Sequence, residues 1–260
     1  MSTIILVRHG ENDWVKKHRL AGWLPDIHLN ENGRQQAQAV AQRLAPLPIQ
    51  AVYSSPITRC METAAGIART HQLDIVQVEE LGEVRYGKWE GKKIKKLARG
   101  PNWHAVQFFP SRFRFPNGES LLEVQFRAVQ ALERLSGRHP QQMIVAVSHA
   151  DLIKLVLAHY LGVHIDLFQR VVIAPASVSI VALSDKGGVR VLRVNDDGPL
   201  KSPPVPKVKG QEKTAGRRNR REKATEAATT GDGRIDGQVL PDAPETADAV
   251  NTVDTVKETP

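Results

Sequence analysis

One cysteine in 260 residues excludes a disulfide framework and a thiolate zinc site, and it points to a reducing compartment, the cytoplasm. No apolar run approaches the ~20 residues of a membrane span. The opening segment MSTIILVRHG reaches Arg8 before an apolar stretch could serve as a signal peptide. No cluster of carboxylates of the kind that holds magnesium or a metal pair is visible, so neither metal nor cofactor is expected. Aromatic residues are scarce, at 5%. What is present is 41% hydrophobic and 25% charged, with a net charge of +8. That balance admits a nucleic-acid or membrane-surface partner, depending on where the charge sits.

The charge and the aromatics are unevenly placed. Residues 1–200 hold all 13 aromatic side chains and 25 Lys and Arg against 18 Asp and Glu. Residues 201–223 carry nine bases against two acids, and 224–260 carry two against eight. A segment without aromatics, rich in Pro, Gly, Thr and charge, buries too little apolar surface to offset its ordering entropy. The reading is therefore one domain over residues 1–198 and a disordered tail over 199–260, with a basic stretch (201–223) and an acidic stretch (224–260).

Strand-like and helix-like segments alternate within the domain. Thr3–Val7 is a continuous β-branched run of the sort covered on both faces of a sheet. Residues 31–45 have helical composition behind Asn30, a plausible N-cap. Residues 51–54 read as a strand, followed by a helix whose first turn holds Pro56 and which runs through Thr70. Residues 73–78 form a further strand, 119–135 a helix with Asn117 or Ser120 at its start, and 143–148 a second buried strand. A helix over 151–161 closes at Gly162. Residues 177–183 and 189–194 flank Asp185-Lys186-Gly187-Gly188 as a hairpin. The order predicts an α/β three-layer sandwich, its sheet mostly parallel with an antiparallel edge. Function in such sheets gathers beyond the carboxyl ends of the strands.

Chemistry-bearing residues stand at those ends. The first strand runs into Arg8 and His9, the second leads to Arg59, the third precedes Glu83, and the strand 143–148 ends at His149. Two guanidiniums and helix amides suit a compact dianion. A neutral imidazole is a competent nucleophile near pH 7. One histidine could attack phosphorus while the second steadies the transferring group, and the carboxyl could protonate the leaving oxygen and later activate water.

The motifs LVRHGEN, SSPITRCMETA, LGEVRYGKWEG, PNGES and VSHADLIK, in that order, resemble the motif set of the histidine phosphatase superfamily, phosphoglycerate mutase-like branch. The resemblance covers roughly residues 3–195 and excludes the tail. It implies a phosphoglycerate mutase-like fold, with His9 as the nucleophile that becomes phosphohistidine. Arg8, Arg59 and His149 would complete the phosphate pocket, and Glu83 would be the proton donor and acceptor. The chain departs from the pattern at Val15, where the family usually has an Asn that helps hold phosphate, and at Leu20-Ala21-Gly22, which offers no side-chain donor. Asn12 is assigned as the substitute amide for phosphate binding. Cofactor-dependent mutases of the family carry a longer insertion between the acid and the second histidine. Only 65 residues separate Glu83 from His149 here, which implies an open site where water reaches the phosphoenzyme.

Other features have plainer readings. Glu11 and Asp13 read as pocket-orienting or solvated. Seven bases between Arg85 and Arg99 could steer an anionic substrate or form a solvated face. Trp103, Phe108, Phe109, Phe113 and Phe115 could line a substrate wall or pack an insertion onto its domain. His18, His28, His71, His104, His139, His159 and His164 show no ligand spacing, and Cys60 reads as buried and inert.

The expectation is a metal-independent, histidine acid phosphatase-like phosphomonoesterase acting on small anionic phosphorylated metabolites through phosphohistidine on His9. One alternative is a cofactor-dependent phosphoglycerate mutase. A second is a protein that binds an acidic partner or nucleic acid through its basic tail. No membrane partner is expected and nucleic acid is disfavoured. The tail is left with an unassigned partner, and the hairpin edge near 177–194 is a candidate for pairing in a homodimer.

Overall fold

The first strand, β1 (Ser2–Arg8), lies at the middle of a six-stranded sheet because nothing but Thr, Ile, Leu and Val separates its ends. The computed structural model describes residues 1–184 and 186–199; from residue 200 the expected tail lies outside the described residues, as does Asp185 of the hairpin. After β1 come α1 (Asp13–Lys16), α2 (Glu31–Leu44), β2 (Ile49–Ser54), α3 (Thr58–His71) and β3 (Ile75–Gln77). Two short helices, α4 (Ile94–Leu97) and α5 (Trp103–Phe108), occupy the following segment. They precede α6 (Leu121–Arg138), β4 (Met143–Ser148), α7 (Ala150–Tyr160), β5 (Val178–Leu183) and β6 (Val189–Asp196). Among the described residues no helix is long and apolar enough to cross a membrane.

The strand order is β3-β2-β4-β1-β5-β6. The pairs β3·β2, β2·β4 and β4·β1 are parallel, while β1·β5 and β5·β6 are antiparallel. Period-two alternation divides each central strand between two cores. Ile4, Leu6, Ile144 and Ala146 pack with Leu132 and Val156 on one side, and Ile5, Val7, Val145 and Val147 with Val40 and Ile67 on the other. Helices thus cover both faces, which makes the expected three-layer α/β architecture.

Register places the strand ends level. Arg8 pairs with Ser148, and Ser54 pairs with Val147. The residues that follow β1, β2 and β4 (His9, Ser55 and His149) therefore leave the sheet at one height.

Local signals behave as expected at most boundaries. Asn30 caps α2 by accepting from Gly33 N, and Ser120 with Glu123 forms a complete capping box on α6. Pro56 is an exception. It lies before the helix, whose cap is Ile57 in extended conformation, because the Ser55 hydroxyl takes the Ile57 N–H in a turn ahead of it. The third strand is shorter than 73–78, reduced to three residues at the sheet edge. Of the five aromatics in the insertion, Phe113 and Phe115 are buried around Trp89, and Trp103 stacks on that indole. Phe108 and Phe109 are exposed.

Candidate active site

The segment after β1 is held from three sides. His9 N donates to Ser148 O (3.0 Å), and Gly10 N donates to the Thr63 hydroxyl (3.1 Å). At Gly10 a Cβ would stand 2.5 Å from Gly33 O, so only glycine lets this turn rest on the start of α2. Asn12 then caps α1, its Oδ1 accepting from Trp14 N and Val15 N (3.0 and 2.9 Å).

Inside this frame, Arg59 of α3 bridges two imidazoles. Its Nε donates to His9 Nε2 (3.3 Å) and its Nη2 to His149 Nδ1 (3.1 Å), with a further bond from Nη2 to Gly22 O (2.9 Å). A guanidinium can only donate, which assigns the tautomers. His9 carries its proton on Nδ1 and gives it to Gly10 O (2.7 Å), leaving an Nε2 lone pair. His149 carries its proton on Nε2 and gives it to Ser55 Oγ (2.9 Å). Burial, reinforced by Arg59, holds both rings well below the usual imidazole range, so both are neutral near pH 7.

Three buried donors around these rings have no hydrogen-bond partner: Arg8 Nε, Asn12 Nδ2 and Arg59 Nη1. Arg59 and Asn12 are 1% and 0% exposed. An unpaired buried donor costs about 1–3 kcal/mol, more when charged. Three on residues that line one cavity can serve an anion with several acceptor oxygens.

The acid lies opposite. Glu83 is buried, and its Oε1 accepts from Val84 N (3.0 Å). Its Oε2 stands 3.9 Å from His149 Nδ1. Burial first, then the Asp151 charge, pushes the Glu83 carboxyl up to about 7, where a carboxyl can both give and take a proton near neutral pH. Asp151 itself stays ionised because Lys154 and Tyr86 hold it, at 3.1 and 2.8 Å.

A cavity of about 230 Å³ joins these groups. It is lined by Arg8, His9, Asn12, Arg59 and Glu83 and by the apolar side chains of Val15, Leu20, Ala21 and Ile94. Arg19 also borders it, but its Nε and Nη2 both bond Gly91 O and it stacks on Trp14. None of the seven bases between Arg85 and Arg99 lines the cavity. Arg85 lies over Trp23 and pairs with Glu79.

The structure thus brings together all six residues singled out in the sequence, but only Arg8, His9, Asn12, Arg59 and Glu83 line the cavity. His149, expected in the phosphate pocket, lies behind Arg59 with both ring nitrogens taken by Arg59 and Ser55. It adds others. Asp151 and Tyr86 border the cavity and surround the acid. Asp151 had a signal, since it sits two residues past His149 in VSHADLIK. His18 borders the cavity too. Cys60, completely buried, places Sγ 3.3 Å from His149 Nε2. Ser55 and Thr63 act through tertiary hydrogen bonds that no sequence pattern reports. Among the described residues no group of three His, Cys, Asp or Glu is placed to hold a metal ion.

The model of a protein family described as histidine phosphatase superfamily (branch 1) matches residues 4–197. Phosphoserine phosphatase 1 of Hydrogenobacter thermophilus is 31% identical over 197 residues, which covers 75% of this chain and 92% of that protein. Phosphoglycerate mutase-like protein 4 of Arabidopsis thaliana is 35% identical over 156 residues, 58% of this chain and 67% of that one. Among solved structures, Bacillus stearothermophilus YhfR superposes with a TM-score of 0.71 at 28% identity, covering 75% of this chain and 98% of its own.

Proposed function

This chain belongs to the histidine phosphatase superfamily, branch 1, and from that premise we propose that residues 1–198 form a catalytic domain that hydrolyses phosphomonoesters of small metabolites. The observation that carries the reading is that three residues with unpaired buried donors, Arg8, Asn12 and Arg59, line one cavity with the neutral imidazole of His9.

The proposed reaction has two displacements. The ester's phosphate takes the donors of Arg8, Asn12 and Arg59, which replaces the long Arg59 contact to His9 Nε2. His9 Nε2 forms a bond to phosphorus as the P–O bond to the leaving group breaks, and protonated Glu83 gives its proton to that oxygen. The developing charge is met by two guanidiniums, and His149 holds one of them by accepting from Arg59 through Nδ1. Water then attacks the phosphohistidine, Glu83 carboxylate takes the water proton, and the N–P bond breaks to release inorganic phosphate. The guanidiniums supply the positive charge that a metal ion would otherwise bring, which supports a metal-independent reaction.

The short segment between Glu83 and His149, which leaves water a path to the phosphoenzyme, favours hydrolysis over the mutase reaction. The test is a panel of phosphorylated metabolites that includes phosphoserine and 3-phosphoglycerate, with wild type compared against His9→Ala. Release of phosphate by wild type alone supports the reading. Isomerisation of 3-phosphoglycerate without phosphate release would replace it with the mutase, and equal hydrolysis by both proteins would remove His9 from the reaction.

A further inference from the structure

The segment Pro116-Asn117-Gly118-Glu119-Ser120 and Arg127 of α6 touch none of the phosphate donors described above, yet they hold the backbone that carries Glu83. Arg127 Nη1 donates to Glu80 O and Gly82 O (2.6 and 3.0 Å), and Nη2 donates to Glu83 O (3.0 Å). Its Nε and Nη2 also bond the two Glu119 carboxylate oxygens (2.8 and 3.0 Å). All five guanidinium N–H groups are thereby used. Glu119 in turn grips the far side of the same loop, since Oε2 accepts from Arg85 N (2.9 Å) and its own N–H donates to Arg85 O (3.0 Å). The loop and this segment meet backbone to backbone: a Cβ at Gly118 would stand 2.1 Å from Arg85 O. The Glu83 carboxyl accepts a hydrogen bond from its neighbour Val84 N and, among the described residues, has no other hydrogen bond. Its aim is therefore set by the backbone of residues 80–85 rather than by a partner of its own.

We propose that Arg127, oriented by Glu119, is the positioning residue for the Glu83 carboxyl, and that the Glu119–Arg127 pair is present to aim the acid at the leaving oxygen. The inference rests on the phosphatase reading. The fork matters more than the charge, because three carbonyls and a carboxylate are met at once by a planar guanidinium and cannot be met by an ammonium.

The effect separates by leaving group. An ester whose alkoxide leaves poorly needs the proton from Glu83, whereas p-nitrophenyl phosphate releases a stable phenolate and needs it little. The experiment compares kcat/KM for an alkyl phosphate and for p-nitrophenyl phosphate in full-length wild type, Arg127→Ala and Arg127→Lys. Expected is a loss of about 100-fold on the alkyl ester and of less than about fivefold on the aryl ester, for both variants. Millimolar guanidinium ion is expected to restore part of the alkyl activity in Arg127→Ala and none in Arg127→Lys. Should Arg127→Ala fail to fold, Glu119→Gln gives the same asymmetry with a smaller loss. Equal losses on both esters, or none, would overturn the positioning role while leaving the phosphatase reading intact. A wild type that hydrolyses neither ester would overturn that reading, and this inference with it.

Discussion

The rings of His9 and His149 meet edge to face with centroids 5.2 Å apart, and both are neutral because they are buried beside a guanidinium. Arg59 makes this arrangement possible. It donates to one nitrogen of each ring and favours the uncharged form of both. In the proposed reaction, a nucleophile that stays unprotonated well below pH 6.5 frees the acid limb from His9 and leaves the alkaline limb to Glu83.

That division gives the first prediction. The first phosphoryl transfer needs protonated Glu83, so kcat/KM falls as pH rises through about 7. Replacing Asp151 by Asn removes the like charge that helps raise the carboxyl, and the limb moves to lower pH. Glu83→Gln loses the limb together with most of its activity toward alkyl esters. A pH–rate profile of the three proteins checks this; an unmoved limb in Asp151→Asn would show that the two carboxyl groups do not interact.

The same group predicts a pH dependence of stability. The folded state raises Glu83 from its ordinary value near 4.5 to about 7, so it binds the proton more tightly than the unfolded chain does. The resulting stabilisation is complete below pH 4.5 and is lost as pH rises to about 7. Denaturant unfolding of wild type against Glu83→Gln should show their difference shift by on the order of 3 kcal/mol in favour of the variant between these limits. No shift would mean that the acid titrates normally in the fold.

Asn12 separates capping from binding. In Asn12→Asp a carboxylate can still accept from Trp14 N and Val15 N, so the cap survives. The unpaired Nδ2 donor, however, is replaced by an anionic oxygen that would repel a phosphate bound as proposed. Thermal stability should hold while the inhibition constant for inorganic phosphate rises at least about tenfold. An unchanged constant would exclude Asn12 from the phosphate contacts.

How far the sequence reached follows from these residues. Arg8, His9, Arg59, Glu83 and His149 were legible because each sits next to a strand end or in a helix that a strand feeds, and the alternation alone sets those ends side by side. Asn12 was legible as an amide near the site, but its double use, Oδ1 on α1 and Nδ2 unpaired, depends on how α1 packs. Ser55, Thr63, Tyr86 and Arg127 were not legible. Their partners lie between 44 and 94 positions away in the chain, and no local period encodes such a pairing. Cys60 was read as buried and inert. Its burial is complete, but its contact with His149 arises only where α3 crosses the end of β4.

That burial pushes the Cys60 thiol up to about 12, so the native protein should resist a thiol reagent at pH 8 and react once unfolded in urea. Labelling of the native protein within seconds would mean that α3 opens from the sheet.

The central claim is that His9 carries the phosphoryl group. Wild type quenched in alkali during turnover of a ³²P-labelled phosphomonoester should retain label that is stable in base, lost in acid, and recovered in the peptide containing His9. His9→Ala should retain none. Label on another residue, or turnover by His9→Ala at the wild-type rate, would contradict the account.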